Sequence, residues 1–375
     1  MTGTGVEGVT VVRSGTTVVR DLTLQARDGE LMVVLGASGS GKSTLLRAIA
    51  GLDPVAAGRV LIKGRDVTAL PPGDRNVAMV FEASALIPFL DVSHNLGWGL
   101  RQRHVPEAEV GQRIGGRARQ LRLGGLLSRR PGELSQGERG LVGIGKALVA
   151  LPEVFLLDEP LAGLDAAERW RLRREIVEVI RTLGVSTFYV THDQAEGMAV
   201  ADRIALLRSG DVVQVGRPME LYERPVDLFT AGFIGSPPIG LLPARLVSAA
   251  GLAGFEVGDR TLPLWGPVPS PLRGHVGRDV VLGLRAEDVH PAAAGRDPDS
   301  VELDALVVEA EYTGLHSVVT VVLGSSGASL RAFFPPRDAL RPGDAVQVTV
   351  TAASAHVFDA VTGRALWHPG DGAAA

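Results

Sequence analysis

The sequence predicts an α/β domain on a largely parallel sheet, followed by a β-rich second domain. Three observations predict it. The apolar run Leu31 to Leu35 enters the glycine-rich stretch Gly36-Ala37-Ser38-Gly39-Ser40-Gly41-Lys42-Ser43-Thr44 and then a helix ending near Gly51. Short apolar runs suited to buried strands then alternate with segments of helical character. Beyond Ser236-Pro237-Pro238 the helical periodicity fades, and short apolar runs are broken by Gly and Pro.

The elements follow in order. Val9 to Val12 and Thr16 to Leu24 read as strands around the turn Ser14-Gly15, and Asp28-Gly29 turns the chain into the strand at Leu31. After the first helix, Ala57-Gly58 and Lys63-Gly64 punctuate a strand at Arg59 to Ile62, and Pro71-Pro72-Gly73 precedes another at Val77 to Phe81. Ser93 to about Arg130 reads as helical, with interruptions expected at Gly115-Gly116 and Gly124-Gly125 and an end at Pro131-Gly132. The buried strand Val154 to Leu157 runs into Asp158-Glu159-Pro160. Leu172, Ile176, Ile180 and Leu183 then mark one face of a helix that Gly184 stops. The strand Val185 to Val190 leads to Thr191-His192-Asp193, and a hairpin is expected across Ser209-Gly210-Asp211. The domain boundary is placed at 235/236.

Bulk properties narrow the classes. With 375 residues, 45% hydrophobic and 21% charged, the chain is long enough for two packed cores and is not a disordered type. A net charge of −4 gives no electrostatic reason to expect a nucleic-acid partner. The absence of cysteine excludes disulfides, thiolate metal sites and cysteine nucleophiles, and fits the cytoplasm. No apolar run is long enough to cross a bilayer, and Met-Thr-Gly-Thr-Gly-Val-Glu lacks the features of a signal peptide. Work at a membrane is therefore expected to need a partner that holds the chain there.

The chemistry concentrates at strand ends. Gly-x-x-x-x-Gly-Lys-Ser from Gly36 to Ser43 is a phosphate cradle: its glycines let successive N–H groups turn inward, and the helix that follows adds its positive end. Lys42 is expected to reach the terminal phosphates, and the Ser43 hydroxyl to hold Mg²⁺. Asp158 stands where such sheets place their ligands and can join Ser43 around that cation. Glu159 is a candidate to orient or deprotonate an attacking water. His192, after its own strand, is a candidate to touch the terminal phosphate; the other seven histidines show no metal-ligand spacing.

Together these motifs resemble the ATPase subunit of an ABC (ATP-binding-cassette) transporter, nearly end to end. Leu134-Ser135-Gln136-Gly137-Glu138 is similar to the family's signature, Leu161-Ala162-Gly163-Leu164-Asp165 to its D-loop, and Thr191-His192-Asp193-Gln194 to its switch histidine. The resemblance implies a P-loop NTPase fold with a helical subdomain at about 90–150. It also implies two copies facing each other, with ATP between the cradle of one and Ser135, Gln136, Gly137 and Glu138 of the other. Gly36, Ser38, Gly39, Ser40, Gly41, Lys42, Ser43 and Thr44 would bind the nucleotide, and Asp165 would sit at the dimer interface. Gly235 to Pro238, Leu282 to Asp288 and Phe358 to Gly363 resemble the OB/TOBE-like regulatory domain of bacterial sugar-importer ATPases. Domains of this kind also serve polyamine, sulfate and iron importers. The implied function is to energise a carbohydrate importer from the cytoplasmic face of the membrane. Its implied partners are two permease subunits and, through them, a solute-binding protein.

Four departures bear on rate. Glu82 stands where the family has a Gln that touches Mg²⁺ and can itself ligate that ion, and Gln136-Gly137-Glu138 replaces Gly-Gly-Gln, so both Glu82 and Glu138 are expected to approach the γ-phosphate; the alternative for Glu138 is a solvent-facing acid in the first turn of its helix. Gly140, Gly145 and Lys146 depart from the usual pattern after the signature. No aromatic occurs from Met1 to Glu30, so Arg13 is the candidate to stack on adenine. A working but slow ATPase is the expectation. The alternatives are a regulatory subunit that binds ATP beside an active homologue, or a soluble cassette in DNA repair or translation; the last would carry a coiled-coil insertion, a basic arm or a second cassette, and none is present.

Overall fold

A computed structural model describes residues 3–81, 86–249, 252–264, 266–292, 300–324 and 326–371. The chain divides into two compact units, Met1–Pro218 and Met219–Ala375.

The first unit opens with an antiparallel hairpin, β1 (Thr4–Arg13) and β2 (Thr16–Ala26), turned by Ser14 and Gly15 at positive φ. Then come β3 (Leu31–Gly36), buried along its whole length, α1 (Lys42–Ala50), β4 (Ala57–Ile62), β5 (Arg65–Asp66) and β6 (Val77–Val80). Three helices follow, α2 (Val92–Gln102), α3 (Glu107–Gln120) and α4 (Gln136–Leu148). The chain returns through β7 (Val154–Asp158), α5 (Ala166–Leu183), β8 (Ser186–Val190), α6 (Gln194–Val200), β9 (Arg203–Arg208) and β10 (Asp211–Gly216).

Two sheets result. One is antiparallel, in the order β2-β1-β4-β5; the other runs β10-β9-β3-β8-β7-β6 and is parallel except for the edge strand β10. Leu45, Leu46 and Ile49 of α1 join Val6, Val9 and Val19 of the first sheet and Met32, Val34, Leu156 and Phe188 of the second in one core. Strands covered on both faces have no polar side to show, which is why β3 and β8 are buried throughout. Because β3, β8 and β7 are neighbours and parallel, their C-terminal ends lie side by side. That adjacency brings together three motifs far apart in the sequence.

The helical stretch differs from expectation in two places. It breaks between α2 and α3, at Arg103 to Pro106, where no interruption is expected. Gly115 and Gly116 do not interrupt it; they lie inside α3, whose inner face of Val110, Ile114 and Ala118 is buried. Packing of that apolar stripe outweighs the poor helix propensity of two glycines.

The second unit contains α7 (Pro218–Glu223), which begins at the division, and α8 (Leu228–Phe233). Its strands are β11 (Gly240–Ala249), β12 (Leu252–Val257), β13 (Arg260–Pro263), β14 (Asp279–Leu284), β15 (His290–Pro291), β16 (Ser300–Tyr312), β17 (Ser317–Leu323), β18 (Ser329–Phe334), β19 (Ala345–Thr351), β20 (His356–Asp359) and β21 (Ala365–Trp367). They form two sheets, β13-β12-β11-β14-β20-β21 and β15-β19-β16-β17-β18, which share a core of residues such as Leu242, Phe255, Leu282, Val319, Leu330 and Val348. This is the β-rich architecture expected from the broken apolar runs.

Candidate active site

The cradle is the turn between β3 and α1. At Gly36 a Cβ would lie 2.4 Å from the Leu207 carbonyl oxygen and 2.6 Å from Ser40 Oγ, so no side chain fits there. Gly41 caps α1 with φ 100°, a conformation that only glycine adopts without strain. No acidic residue of α1 itself stands in its first turn. The Lys42 ammonium donates to the carbonyls of Gly36 (2.8 Å) and Ala37 (2.9 Å) of its own loop. Burial pushes its pKa below the usual lysine range, while Glu159 and Asp158 act the other way. A cleft of about 570 Å³ opens here, lined by Val18, residues 38–44, Glu159 and His192.

The neighbouring strand ends complete it. Ser43 Oγ donates to Asp158 Oδ1 at 2.8 Å, joining the start of α1 to the end of β7. Glu159 follows with φ 48°, and its N–H donates to the Val190 carbonyl at 3.0 Å, which pins the acidic turn to the end of β8. Its carboxylate meets His192 Nδ1 at 2.9 Å. The Ser43 hydroxyl and the Asp158 carboxylate are hard oxygen donors side by side. Two such donors do not make a closed cage, but they suit Mg²⁺, which keeps several waters and takes phosphate oxygens as its other ligands. Among the described residues no cluster of three or more His, Asp or Glu could hold a metal by itself. Glu82, the third expected metal ligand, lies outside the described residues.

The signature stands apart from this cleft. Ser135 caps α4 by accepting from Glu138 N–H at 3.2 Å, and the Glu138 carboxylate turns back to accept from Ser135 N–H at 2.8 Å. This is a reciprocal capping box, and it uses the carboxylate for the helix start. Gly137 N–H donates to Glu168 of α5 at 3.2 Å, and a Cβ on Gly137 would reach 2.1 Å from that carboxylate. Gln136 reaches towards Gly163 of the turn before α5. Asp165 caps α5 by accepting from Glu168 N–H at 2.9 Å. Arg13, the candidate to stack on adenine, has a half-exposed side chain. Its guanidinium pairs with Asp53 at 3.5 Å, beside Arg47 at 3.1 Å, and Val18 is the residue of β2 that lines the cleft.

Sequence reasoning passed over several residues behind the histidine. Glu196 of α6 is buried, and its carboxylate accepts from Tyr189 Oη and from Thr191 Oγ1, the latter at 2.7 Å. Burial raises its pKa above the usual carboxylate range. Arg169 of α5 donates to the Leu164 carbonyl at 2.9 Å and pairs with Asp193 at 3.3 Å. The spacing Asp193-x-x-Glu196 signals a helix start, which Asp193 does provide by accepting from Glu196 N–H at 3.0 Å. Nothing in that spacing says that the Glu196 side chain turns inward.

Comparison with known proteins agrees with this geometry. Residues 19–162 match the ABC transporter family model, and residues 282–358 match the TOBE domain. An sn-glycerol-3-phosphate import ATP-binding protein of Cereibacter sphaeroides is 42% identical over 94% of this chain and 96% of its own length. A trehalose/maltose import ATP-binding protein of Thermococcus litoralis is 41% identical, covering 98% of this chain and all (100%) of that protein. A sulfoquinovosyl glycerol transport ATP-binding protein of Agrobacterium fabrum is 42% identical over 93% of this chain and 95% of its own. Among solved structures, a component of an ABC transporter complex from Clostridium perfringens superposes with a TM-score of 0.55 at 26% identity, covering 59% of this chain and 90% of that one.

Proposed function

We infer, from the premise that this chain belongs to the ABC transporter family of ATP-binding proteins, that it energises the import of a carbohydrate or a related polyol. The chain is an ATP-hydrolysing importer subunit; the solute class is what the names of its relatives support. The observation that carries the chemical reading is the convergence of three strand ends on one cleft, with Lys42, the Ser43–Asp158 pair and the Glu159–His192 pair around it.

Each group has a role that its position supports. The inward N–H groups of the cradle, Gly36 to Thr44 (Ser38, Gly39, Ser40 and Gly41 among them), and the Lys42 ammonium bind the nucleotide phosphates. Ser43 and Asp158 would hold Mg²⁺, with Glu82 as a further candidate; that ion would neutralise charge on the phosphate oxygens. Glu159 orients the attacking water and takes its proton at the carboxylate. His192, bonded to that carboxylate through Nδ1, holds it in place and presents its remaining ring edge to the cleft.

The assembly follows from the same reading. Two copies face each other, so that Ser135, Gln136, Gly137 and Glu138 of one complete the nucleotide site of the other and Asp165 lies between them. Permease subunits are the membrane partners, with a solute-binding protein on the far side, and they hold this chain at the inner face of the membrane. A glutamine at the base position tests the chemistry. Glu159→Gln should bind ATP as the wild type does while phosphate release falls by about 10²-fold or more. Turnover equal to wild type would remove Glu159 from the mechanism.

A further inference from the structure

The His192 side chain is 66% exposed, so packing does not fix where it stands. Its ring is held by one bond to Glu159 and by the turn Thr191-His192-Asp193 that carries it. What fixes that turn is therefore part of how the site works. Two sets of bonds hold it. From within, the buried Glu196 carboxylate takes bonds from Tyr189 and Thr191, and Thr191 Oγ1 in turn accepts from Asp193 N–H at 3.0 Å. From outside, one Arg169 nitrogen pairs with Asp193 Oδ2 while the other donates to the Leu164 carbonyl. The same guanidinium thus grips the turn that leads to Asp165 and the turn that bears His192. A cavity of about 250 Å³ lies between these turns, lined among others by Glu159, Gly163, Arg169, His192 and Glu196.

We propose that Arg169 is a positioning residue for hydrolysis: its planar fork ties the turn before Asp165 to the histidine turn and so sets His192 against Glu159. The inference rests on the reading of Glu159 and His192 as the hydrolytic pair. Arg169 does not line the nucleotide cleft, so its effect passes through the turn. A lysine cannot reproduce it, because one ammonium is a point charge without the fork that spans a carbonyl and a carboxylate at once. Displacing a catalytic group by about 1 Å can cost on the order of 10²-fold in rate, so a loosened turn is enough to matter. The arrangement also means that whatever moves the turn at Leu164 moves the histidine with it.

The test is a double-mutant cycle on the full-length protein, reading steady-state phosphate release over a range of ATP concentrations. Arg169→Ala and Arg169→Lys should each lower kcat by roughly 10-fold or more with KM for ATP little changed. In a His192→Ala background, Arg169→Ala should cause no further loss, because its effect is spent through the histidine. Asp193→Asn keeps a side chain able to cap α6 but removes the charge partner of Arg169, so it should lower kcat in the same way. This variant decides the matter if Arg169→Ala does not fold, as judged by thermal melting. Losses that multiply in the His192→Ala background, a KM effect without a kcat effect, or an Asp193→Asn protein as fast as wild type would each overturn the proposal. A His192→Ala protein with wild-type turnover would instead overturn the underlying reading of the histidine.

Discussion

At the scale of single residues, the partners of each side chain decide roles that residue type leaves open. Glu138 is the plainest case. The family resemblance has its carboxylate approach the phosphate held by a facing copy; within its own chain it accepts from Ser135 N–H and closes a capping box. Ser135→Ala should cost about 1 kcal/mol, as loss of an N-cap usually does. A glutamine preserves the box, so Glu138→Gln should leave stability within about 0.5 kcal/mol of wild type and leave turnover near its wild-type value. Urea denaturation and phosphate release check both, and faster turnover in Glu138→Gln would return the carboxylate to the neighbourhood of the phosphate. Lys42, Ser43, Asp158, Glu159 and His192 were legible because each sits in a motif whose spacing is fixed by backbone geometry. Arg169 and Glu196 were not, since an arginine on a helix face and a glutamate in a first turn have many commoner uses. The pairing of Arg13 with Asp53 was not legible, since it depends on a residue forty positions away.

At the scale of elements, the sequence signals worked where burial and backbone agree and failed where they compete. Gly184 ends α5 in a left-handed conformation with its N–H on the Ile180 and Arg181 carbonyls, as its place after the apolar stripe implied. Gly115 and Gly116 looked like the same kind of stop, yet they lie within α3 because Val110, Ile114 and Ala118 hold that helix to its neighbours. Gly115 and Gly116, with Gly111 one turn earlier, leave α3 with a removable weakness. A Cβ at Gly116 would meet nothing within 4 Å, and its φ is not positive. Gly116→Ala should therefore stabilise the protein by about 0.5–1 kcal/mol, through helix propensity and a less flexible unfolded chain. Thermal melting would show a higher midpoint. An unchanged midpoint would mean that the α3 region unfolds separately from the transition being followed.

At the scale of the whole molecule, the parallel order β3-β8-β7 explains how one cleft collects motifs more than a hundred residues apart. The second unit carries its own core and its own response to acid. His356 and His368 are buried there with their Nδ1 atoms 2.9 Å apart, an arrangement in which one ring donates and the accepting ring must be neutral. Burial lowers the pKa of His356 to about 3 and also lowers that of His368, with His368 itself adding to the shift of His356; Asp371 acts the other way on both. An unfolded chain would take up protons on both rings below about pH 6.5. Their contribution to stability is therefore full above that pH and is lost as pH falls towards 3. Asp288 has the opposite sign. Burial and the neighbouring Glu287 raise its pKa to about 6, so its contribution is present at low pH and is lost as pH rises through 6. His356, whose pKa lies near 3, offsets Asp288 below pH 6, and the lowered pKa of His368 adds to the same side, so the net effect should be a loss of stability on acidification from pH 6.5 towards 4. Urea denaturation at half-unit steps of pH, followed through tryptophan emission with Trp367 of this unit as a reporter, measures the slope. Replacing His356 with Gln should flatten it, because one of the two proton-binding sites exposed on unfolding is then gone. A slope as steep in His356→Gln as in the wild type would place the acid sensitivity outside the histidine pair.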